Sequence, residues 1–253
     1  EWIMGRFEAW QNQPNAFPDQ FDQEHSRDIE PMRGGHGDNY YYQMVEGIRR
    51  FKGMPPQESA SGVKKIKIDG LFSDWQDVKP EYRATRGNTI HRNSKGWGKY
   101  VYINTTGRND IVSAKVARDS RNLYFYVACA ESITQPCSKS WLNLFIDIDR
   151  KRQTGWEGYD YMISGHSANG KATLLRSDNG WNWSKVADVE YRVDGNSLEL
   201  VIPRKSLGLI RGDAVEFEFK WVDNMQREGD VYEFYLNGDA APIGRFNFLY
   251  STK

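Results

Sequence analysis

The sequence predicts a mainly β fold, an antiparallel jelly-roll-like β-sandwich that follows an N-terminal segment of loop and one helix. Three observations predict this fold. After residue 62, apolar and polar residues alternate over short runs, as in strands with one buried face. Clusters of Gly, Asn and Asp separate these runs and favour turns. Aromatic residues make up 14% of the chain, and this enrichment favours strands.

Residues 1–53 form the first predicted segment. Its front half, residues 11–37, is rich in Pro, Gln, Asp and Gly, which indicates irregular loop. Residues 38–53 then predict a helix, because four apolar residues recur at helical spacing: Tyr41, Met44, Val45 and Ile48. Gly53 can supply the left-handed residue that ends this helix, and the two prolines that follow prevent its continuation.

Residues 54–62 predict a linker, and residues 63–253 predict the β-sandwich itself. Its expected strands are residues 64–68, 100–104, 111–117, 123–128, 141–148, 173–176, 186–193, 198–202, 215–222, 231–236 and 245–250. Residues 202–209 predict one short helical turn between strands. Trp75 is expected in the core, and Trp221 is expected either in the core or lining one face.

The stretch from Phe145 to Tyr161 allows two interpretations. Asp147 and Asp149 end a strand on one face, and Asp160 can return to the same place across a hairpin. Three carboxylates are hard oxygen ligands that suit Ca²⁺ better than zinc. The basic residues 150–152 can instead neutralise the acids, which leaves an ordinary hairpin with Trp156 packed over it. We favour the hairpin and keep the calcium site as an alternative.

Four stretches resemble, in order and spacing, the family 9 carbohydrate-binding modules and the related haem- and sugar-binding DOMON domains: residues 68–78, 110–133, 141–163 and 198–209. The resemblance covers residues 63–253. It implies a jelly-roll-like sandwich, often joined to a secreted glycoside hydrolase and sometimes holding structural calcium. It also implies an extracytoplasmic location and a polysaccharide or oligosaccharide as the partner.

Family members that bind chain ends sandwich the sugar between two Trp rings. Trp141 lies closer to its strand than the first of these rings does, and the last loop, residues 237–244, contains no Trp. The family's sandwich is therefore not reproduced, and loss of glycan binding is a serious alternative. Other rings can replace it, because Trp181 and Trp183 are two apart and share a strand face. The remaining candidates are the loop residues Trp97 and Trp156.

The first segment resembles the last strand, loop and helix of a glycoside-hydrolase-like (β/α)8 barrel. The resemblance implies that the chain is a fragment, with the rest of the barrel as its partner in cis. Such barrels place catalytic residues at the carboxyl ends of their strands, so Glu1 is the candidate catalytic remnant. We expect no activity from this chain alone.

Several function classes find no support in the sequence. Lys plus Arg and Asp plus Glu both total 34, so the basic excess of a nucleic-acid binder is missing. No apolar run approaches the roughly 20 residues that span a membrane. Cys129 and Cys137 are either a disulfide or two free thiols.

Three functions remain, in decreasing order. The first is an accessory carbohydrate-binding domain, and the second is a non-binding domain that braces a hydrolase barrel. The third is a haem-binding electron-transfer domain, for which Met162 and His166 are the candidate ligands.

Overall fold

The computed structural model describes residues 47–53, 58–87, 89, 92–95, 101–210, 212, 214–231, 233–236, 238–242 and 246–253. Glu1, Trp97 and most of the barrel-like segment lie outside these residues, as does the first part of the predicted linker. The described residues fall into two compact units. One contains residues 47–53, 92–95 and 101–105, and the other contains the rest.

The first unit contains a helix and a hairpin. Residues 47–52 form helix α1, which confirms the described part of the predicted helix. Gly53 ends it with a φ of 76°, and its N–H donates to the Arg49 carbonyl at 2.8 Å. The hairpin pairs strand β2 (Arg92–Lys95) with strand β3 (Val101–Asn104) in antiparallel fashion.

The second unit confirms the mainly β prediction with an eleven-stranded antiparallel sheet that is nearly barrel-shaped. Its strand order is β1-β4-β5-β10-β9-β8-β7-β6-β11-β12, and β13 also pairs with β11. The strands are β1 Glu81–Arg83, β4 Ile111–Arg118, β5 Asn122–Cys129, β6 Asn143–Asp147, β7 Tyr161–Ser167, β8 Lys171–Asn179, β9 Asn182–Asp194, β10 Ser197–Pro203, β11 Glu216–Asp223, β12 Asp239–Ala241 and β13 Phe248–Ser251. Three short helical elements accompany them: η1 Phe72–Trp75, η2 Arg204–Leu207 and α2 Glu233–Leu236. The second of these confirms the predicted helical turn.

Apolar side chains pack on both faces of the sheet. The interior core fills one face and includes Trp221, which is fully buried. On the opposite face of β6, β7 and β11 lies a second group, which we call the aromatic cluster: Phe145, Trp156, Tyr159, Met162, Val222, Met225, Val231, Phe234 and Ala240. Strand β6 is buried on both faces, because Leu144 and Ile146 enter the interior core and Phe145 enters the aromatic cluster.

The segment before β1 docks on the sheet through a buried carboxylate. Glu199 of β10 is fully buried, and its Oε1 accepts from the backbone N–H groups of Asp69 and Gly70 at 2.9 and 2.8 Å. Its Oε2 accepts from Trp75 Nε1 at 2.8 Å. Trp75 is 2% exposed, which confirms its predicted place in a core.

Two of the predicted strands are wrong. Residues 64–68 form no strand; Ile66 is buried against Trp75, and alternation there reflects docking rather than sheet pairing. Residues 233–236 are helical instead of extended. Val231 and Phe234 both enter the aromatic cluster, and their separation of three residues matches one helical turn better than a strand.

The two ends of the curled sheet approach each other through a buried aspartate. Asp239 of β12 is 2% exposed, and its Oδ2 accepts from the backbone N–H of Ile111 in β4 at 2.6 Å. Burial, reinforced by the nearby carboxylates of Asp110 and Asp223, raises the pKa of Asp239 from 3.8 to about 7. Its ordinary hydrogen bonds to backbone N–H groups do not offset the loss of water.

We therefore expect stability to fall as the pH rises from about 4 to about 7. In this window the folded state keeps the Asp239 proton and the unfolded state has lost it, so a rise in pH favours unfolding. Urea unfolding across this range should show a decrease of a few kcal/mol. The Asp239→Asn variant cannot titrate there and should show a flatter profile. An equally steep profile for this variant would contradict the assignment.

Candidate functional site

The loop between β6 and β7 is a hairpin connection, which confirms the favoured interpretation of residues 145–161. Phe145 pairs with Met162 across the two strands. Within the loop, Trp156 and Tyr159 exchange two backbone hydrogen bonds of 2.9 and 2.8 Å. Gly155 has a φ of 62°, and a Cβ there would lie 2.0 Å from the Tyr159 carbonyl oxygen. The tight turn therefore requires glycine at this position.

The same loop brings the three predicted metal ligands together. Asp147, Asp149 and Asp160 each place one carboxylate oxygen within 4.8 Å of the others. Backbone N–H groups of the loop hold the carboxylates in place: Arg150 donates to Asp147 at 2.6 Å, and Ile148 donates to Asp160 at 2.9 Å. Bonds from three separate positions in one loop fix the cluster without any contact between strands.

Burial makes this cluster costly to ionise. Asp147 is 3% exposed, and burial raises its pKa to about 7, with the negative charges of Asp160 and Glu218 adding to the effect. Burial also raises the pKa of Asp160. Arg150 turns away and pairs with Glu216 and Glu218. Three converging carboxylates in these surroundings are an oxygen donor set that fits Ca²⁺.

Two of the predicted ligand-binding tryptophans are packed inside the protein. Trp141 is 1% exposed in the interior core, and its Nε1 donates to the Thr134 carbonyl at 3.0 Å. Trp156 is 4% exposed within the aromatic cluster. Neither ring has an open face for a ligand. Only the edge of Trp141 reaches a surface recess of about 320 Å³, which Tyr191 and Arg192 also line.

Trp181 and Trp183 lie on the same face of the sheet, and both rings are 6.3 Å from that of Phe145. Trp181 is covered from two sides. The Trp156 ring lies 4.4 Å away at an angle of 75°, and a Cβ at Gly229 would lie 3.0 Å from Trp181 Cγ. Trp183 has only its neighbour Trp181 and Phe145 as ring contacts in the described part of the chain.

A groove of about 300 Å³ opens beside these two rings, over strands β6, β7 and β8. Trp181 and Trp183 form one wall, and Met162 and Leu175 contribute further apolar surface. The polar lining comes from six residues: Lys139, Ser140, Asn143, Ser164, Thr173 and Glu228. An apolar recess of this volume with a few convergent polar groups has the character of a small-molecule site.

Two polar atoms of the groove residues stand out. Asn143 is 3% exposed, and its Oδ1 has no hydrogen-bond partner within the described residues. The same is true of Trp183 Nε1. A buried polar atom without a partner costs roughly 1–3 kcal/mol, so such atoms are uncommon and need an explanation. Asn143 could not be found from the sequence, because it lies inside an apolar strand.

The two residues of the haem alternative are separated by the sheet. Met162 belongs to the aromatic cluster, whereas the His166 ring contacts Trp141 and Tyr191 of the interior core at 4.9 and 4.8 Å. The strand pairing shifts between Ser164 and Ser167, and this bulge turns His166 to the opposite face. Burial lowers the pKa of His166 to about 3.

The two cysteines are free thiols: Cys129 is buried in the interior core, and Cys137 is exposed with its Sγ 2.5 Å from the Arg108 guanidinium. Of the helices that the structure describes, none has the length and apolar composition to cross a membrane. A comparison of the chain with protein-family models and with curated proteins found no match to either.

Proposed function

We propose that residues 63–253 form an accessory carbohydrate-binding domain of a secreted glycoside hydrolase, which recognises polysaccharide through the groove beside Trp183. The observation that carries the proposal is this groove, in which a half-buried indole ring meets converging polar side chains. The hydrolase barrel would be supplied in cis, with the domain in an extracytoplasmic location. The chain described here would then bind substrate without cleaving it.

The chemistry of the groove suits a sugar ring. The apolar C–H face of a pyranose packs against an indole ring, and hydroxyl groups around the sugar need hydrogen-bond partners. Trp183 would provide the flat surface, and Thr173 and Ser164 would provide hydroxyl groups. Ser164 already donates to the Lys139 carbonyl at 2.7 Å, so its oxygen remains as an acceptor. Lys139 and Glu228 add one positive and one negative charge to the lining.

Trp183→Ala should weaken glycan binding by about tenfold or more, because it removes the ring that anchors the sugar. Affinity electrophoresis through gels that contain soluble glycans measures this loss as lost retardation. Leu71→Ala is a suitable control, since Leu71 is 67% exposed and outside the groove. Unretarded migration of the unaltered protein on every glycan would refute the proposed binding role.

One observation favours the bracing alternative. Trp141, Trp156 and Trp181 are largely covered by neighbouring residues, so most of the described ring candidates serve packing. A pure brace predicts that Trp183→Ala lowers the melting temperature and leaves the glycan affinity of the full hydrolase unchanged. A loss of affinity without a loss of stability would exclude it.

We also propose that Asp147, Asp149 and Asp160 hold a structural calcium ion. The ion would fix the loop that carries Trp156, and this ring in turn packs against Trp181. A cation would offset the mutual repulsion of the three carboxylates and favour their ionised forms. Its role would be to order the loop beneath the groove, at a distance from any sugar.

Calcium in about 100-fold excess over its Kd should raise the melting temperature by about 5–10 °C, because it binds the folded state alone. Differential scanning calorimetry with Ca²⁺ and with a chelator measures the shift. Asp149→Asn should abolish the shift, since the exposed Asp149 contributes one of the three oxygens. Asp188→Asn, an exposed acid outside the cluster, should retain it. A chelator-insensitive protein would contradict the site.

A further inference from the structure

We infer that the groove selects a sugar that carries an acetamido group, so that the recognised glycan contains N-acetylated hexosamine. This inference rests on the proposed function, because it names the substrate class of the same groove. Its starting point is the pair of unpartnered polar atoms, Asn143 Oδ1 and Trp183 Nε1.

These two atoms have opposite requirements. The Asn143 oxygen accepts a hydrogen bond, and the indole N–H of Trp183 can only donate one. Water does not satisfy either atom, because both are inaccessible to solvent. A ligand that enters the groove and shifts these side chains slightly would gain both bonds at sites where water makes none. The terminal amide of Asn143 rotates readily, which lets it turn its oxygen towards such a ligand.

An acetamido group supplies both complements at once. Its N–H can donate to Asn143 Oδ1, and its carbonyl oxygen can accept from Trp183 Nε1. A trans amide directs these two groups to opposite sides, which suits partners on separate strands. Asn143 lies on β6 and Trp183 on β9, with β7 and β8 between them in the sheet.

The apolar part of the groove favours the same group. Met162 and Leu175 line it between the two polar residues, and neither can satisfy a hydroxyl group. The methyl of an acetyl group would pack there and gain about 0.8 kcal/mol per buried carbon. A plain hexose would place a hydroxyl at this position and leave it without a partner, which sites of this kind penalise strongly.

Charge gives no competing preference for an acidic or basic sugar. Lys139 and Glu228 are the two charged residues in the groove lining, and both are exposed. Their opposite signs cancel, so a uronic acid or a free amino sugar gains little net attraction. Selection by shape and hydrogen bonding, rather than by charge, is what the lining supports.

Ligand-observed NMR titrations with matched methyl glycosides test the inference. N-acetylglucosamine and glucose form one pair, and N-acetylgalactosamine and galactose form a second, so each pair differs only at carbon 2. We expect at least one acetylated sugar to bind about tenfold more tightly than its matched hexose. Glucosamine, which lacks the acetyl group, should bind like glucose.

Trp183→Phe separates the indole N–H from the ring. The variant keeps an aromatic surface for stacking and removes the donor, so it should erase most of the preference for the acetylated sugar. Its affinity for the plain hexose should stay within about threefold. Asn143→Ser should act in the same direction, and its melting curve shows whether the fold is retained. Thr173→Val, which keeps both amide partners, should preserve the preference.

The outcomes separate this inference from the proposed function. Equal or tighter binding of the plain hexoses would overturn acetamido selection and leave a carbohydrate-binding groove in place. A retained preference in folded Trp183→Phe would also overturn it, because the proposed donor would then be unnecessary. Absence of binding by every sugar and by every polysaccharide in the electrophoresis series would overturn both.

Discussion

Replacement of Glu199 by leucine is expected to lower the free energy of unfolding by about 4–6 kcal/mol. The side chain is fully buried and accepts three hydrogen bonds, from Asp69, Gly70 and Trp75. Leucine would leave all three N–H donors buried without an acceptor, and each costs roughly 1–3 kcal/mol. The docked segment around Trp75 would lose its attachment to β10.

Urea denaturation with a double-mutant cycle isolates this effect. Glu199→Gln should cost less than leucine, because its oxygen still serves the two backbone donors while its amide opposes the Trp75 indole. In a Trp75→Phe background that opposition is absent, so the added cost of Glu199→Gln should shrink. Glu131→Leu, at an exposed ion pair with Arg86, is the surface control. A Glu199→Leu cost no larger than this control would refute the account.

Gly155→Ala is expected to destabilise the protein by about 3–5 kcal/mol and to disrupt the loop of the acidic cluster. The new methyl group would meet the Tyr159 carbonyl oxygen at 2.0 Å. Since that oxygen belongs to the backbone, relief requires the loop itself to move. The movement would break the two hydrogen bonds between Trp156 and Tyr159 and displace Trp156 from the aromatic cluster.

Gly180→Ala is the matched control for this prediction. Gly180 has a φ of 55°, close to the 62° of Gly155, and nothing lies within 4 Å of a Cβ built there. Both variants share the left-handed backbone cost of about 1–2 kcal/mol, so their difference measures the collision. Near-ultraviolet circular dichroism should report the displaced Trp156 ring in Gly155→Ala alone. Equal costs for the two variants would contradict the steric explanation.

The sheet could be predicted from the sequence because its strands alternate clearly and are punctuated by turn residues. Residues 123–128 and 198–202, for example, lie within β5 and β10, which pair with each other. Residues 64–68 alternate equally well and form no strand, because a period of two cannot distinguish sheet pairing from an extended segment docked through Ile66. Residues 231–236 are too short for their period to separate a strand from a helical turn.

The acidic cluster was predictable from spacing, whereas the groove was not. Asp147 and Asp149 flank a strand end, and a hairpin must return Asp160 to them. The groove depends on long-range packing that no local pattern encodes. Gly229, distant in sequence, covers Trp181 and leaves Trp183 as the more open ring. Asn143 was hidden because a polar residue in an apolar strand has no periodic signature.

The burial of β6 on both faces has a consequence for the accuracy of folding. In most strands a slip of one residue is prevented because it would expose the apolar face to water. Such a slip in β6 would only exchange Leu144 and Ile146 with Phe145, so hydrophobicity alone discriminates weakly against it. The two polar ends discriminate instead, since a slip would drive Asn143 or Asp147 into an apolar cluster without hydrogen bonds. The residues assigned here to ligands thus also keep this central strand from misfolding.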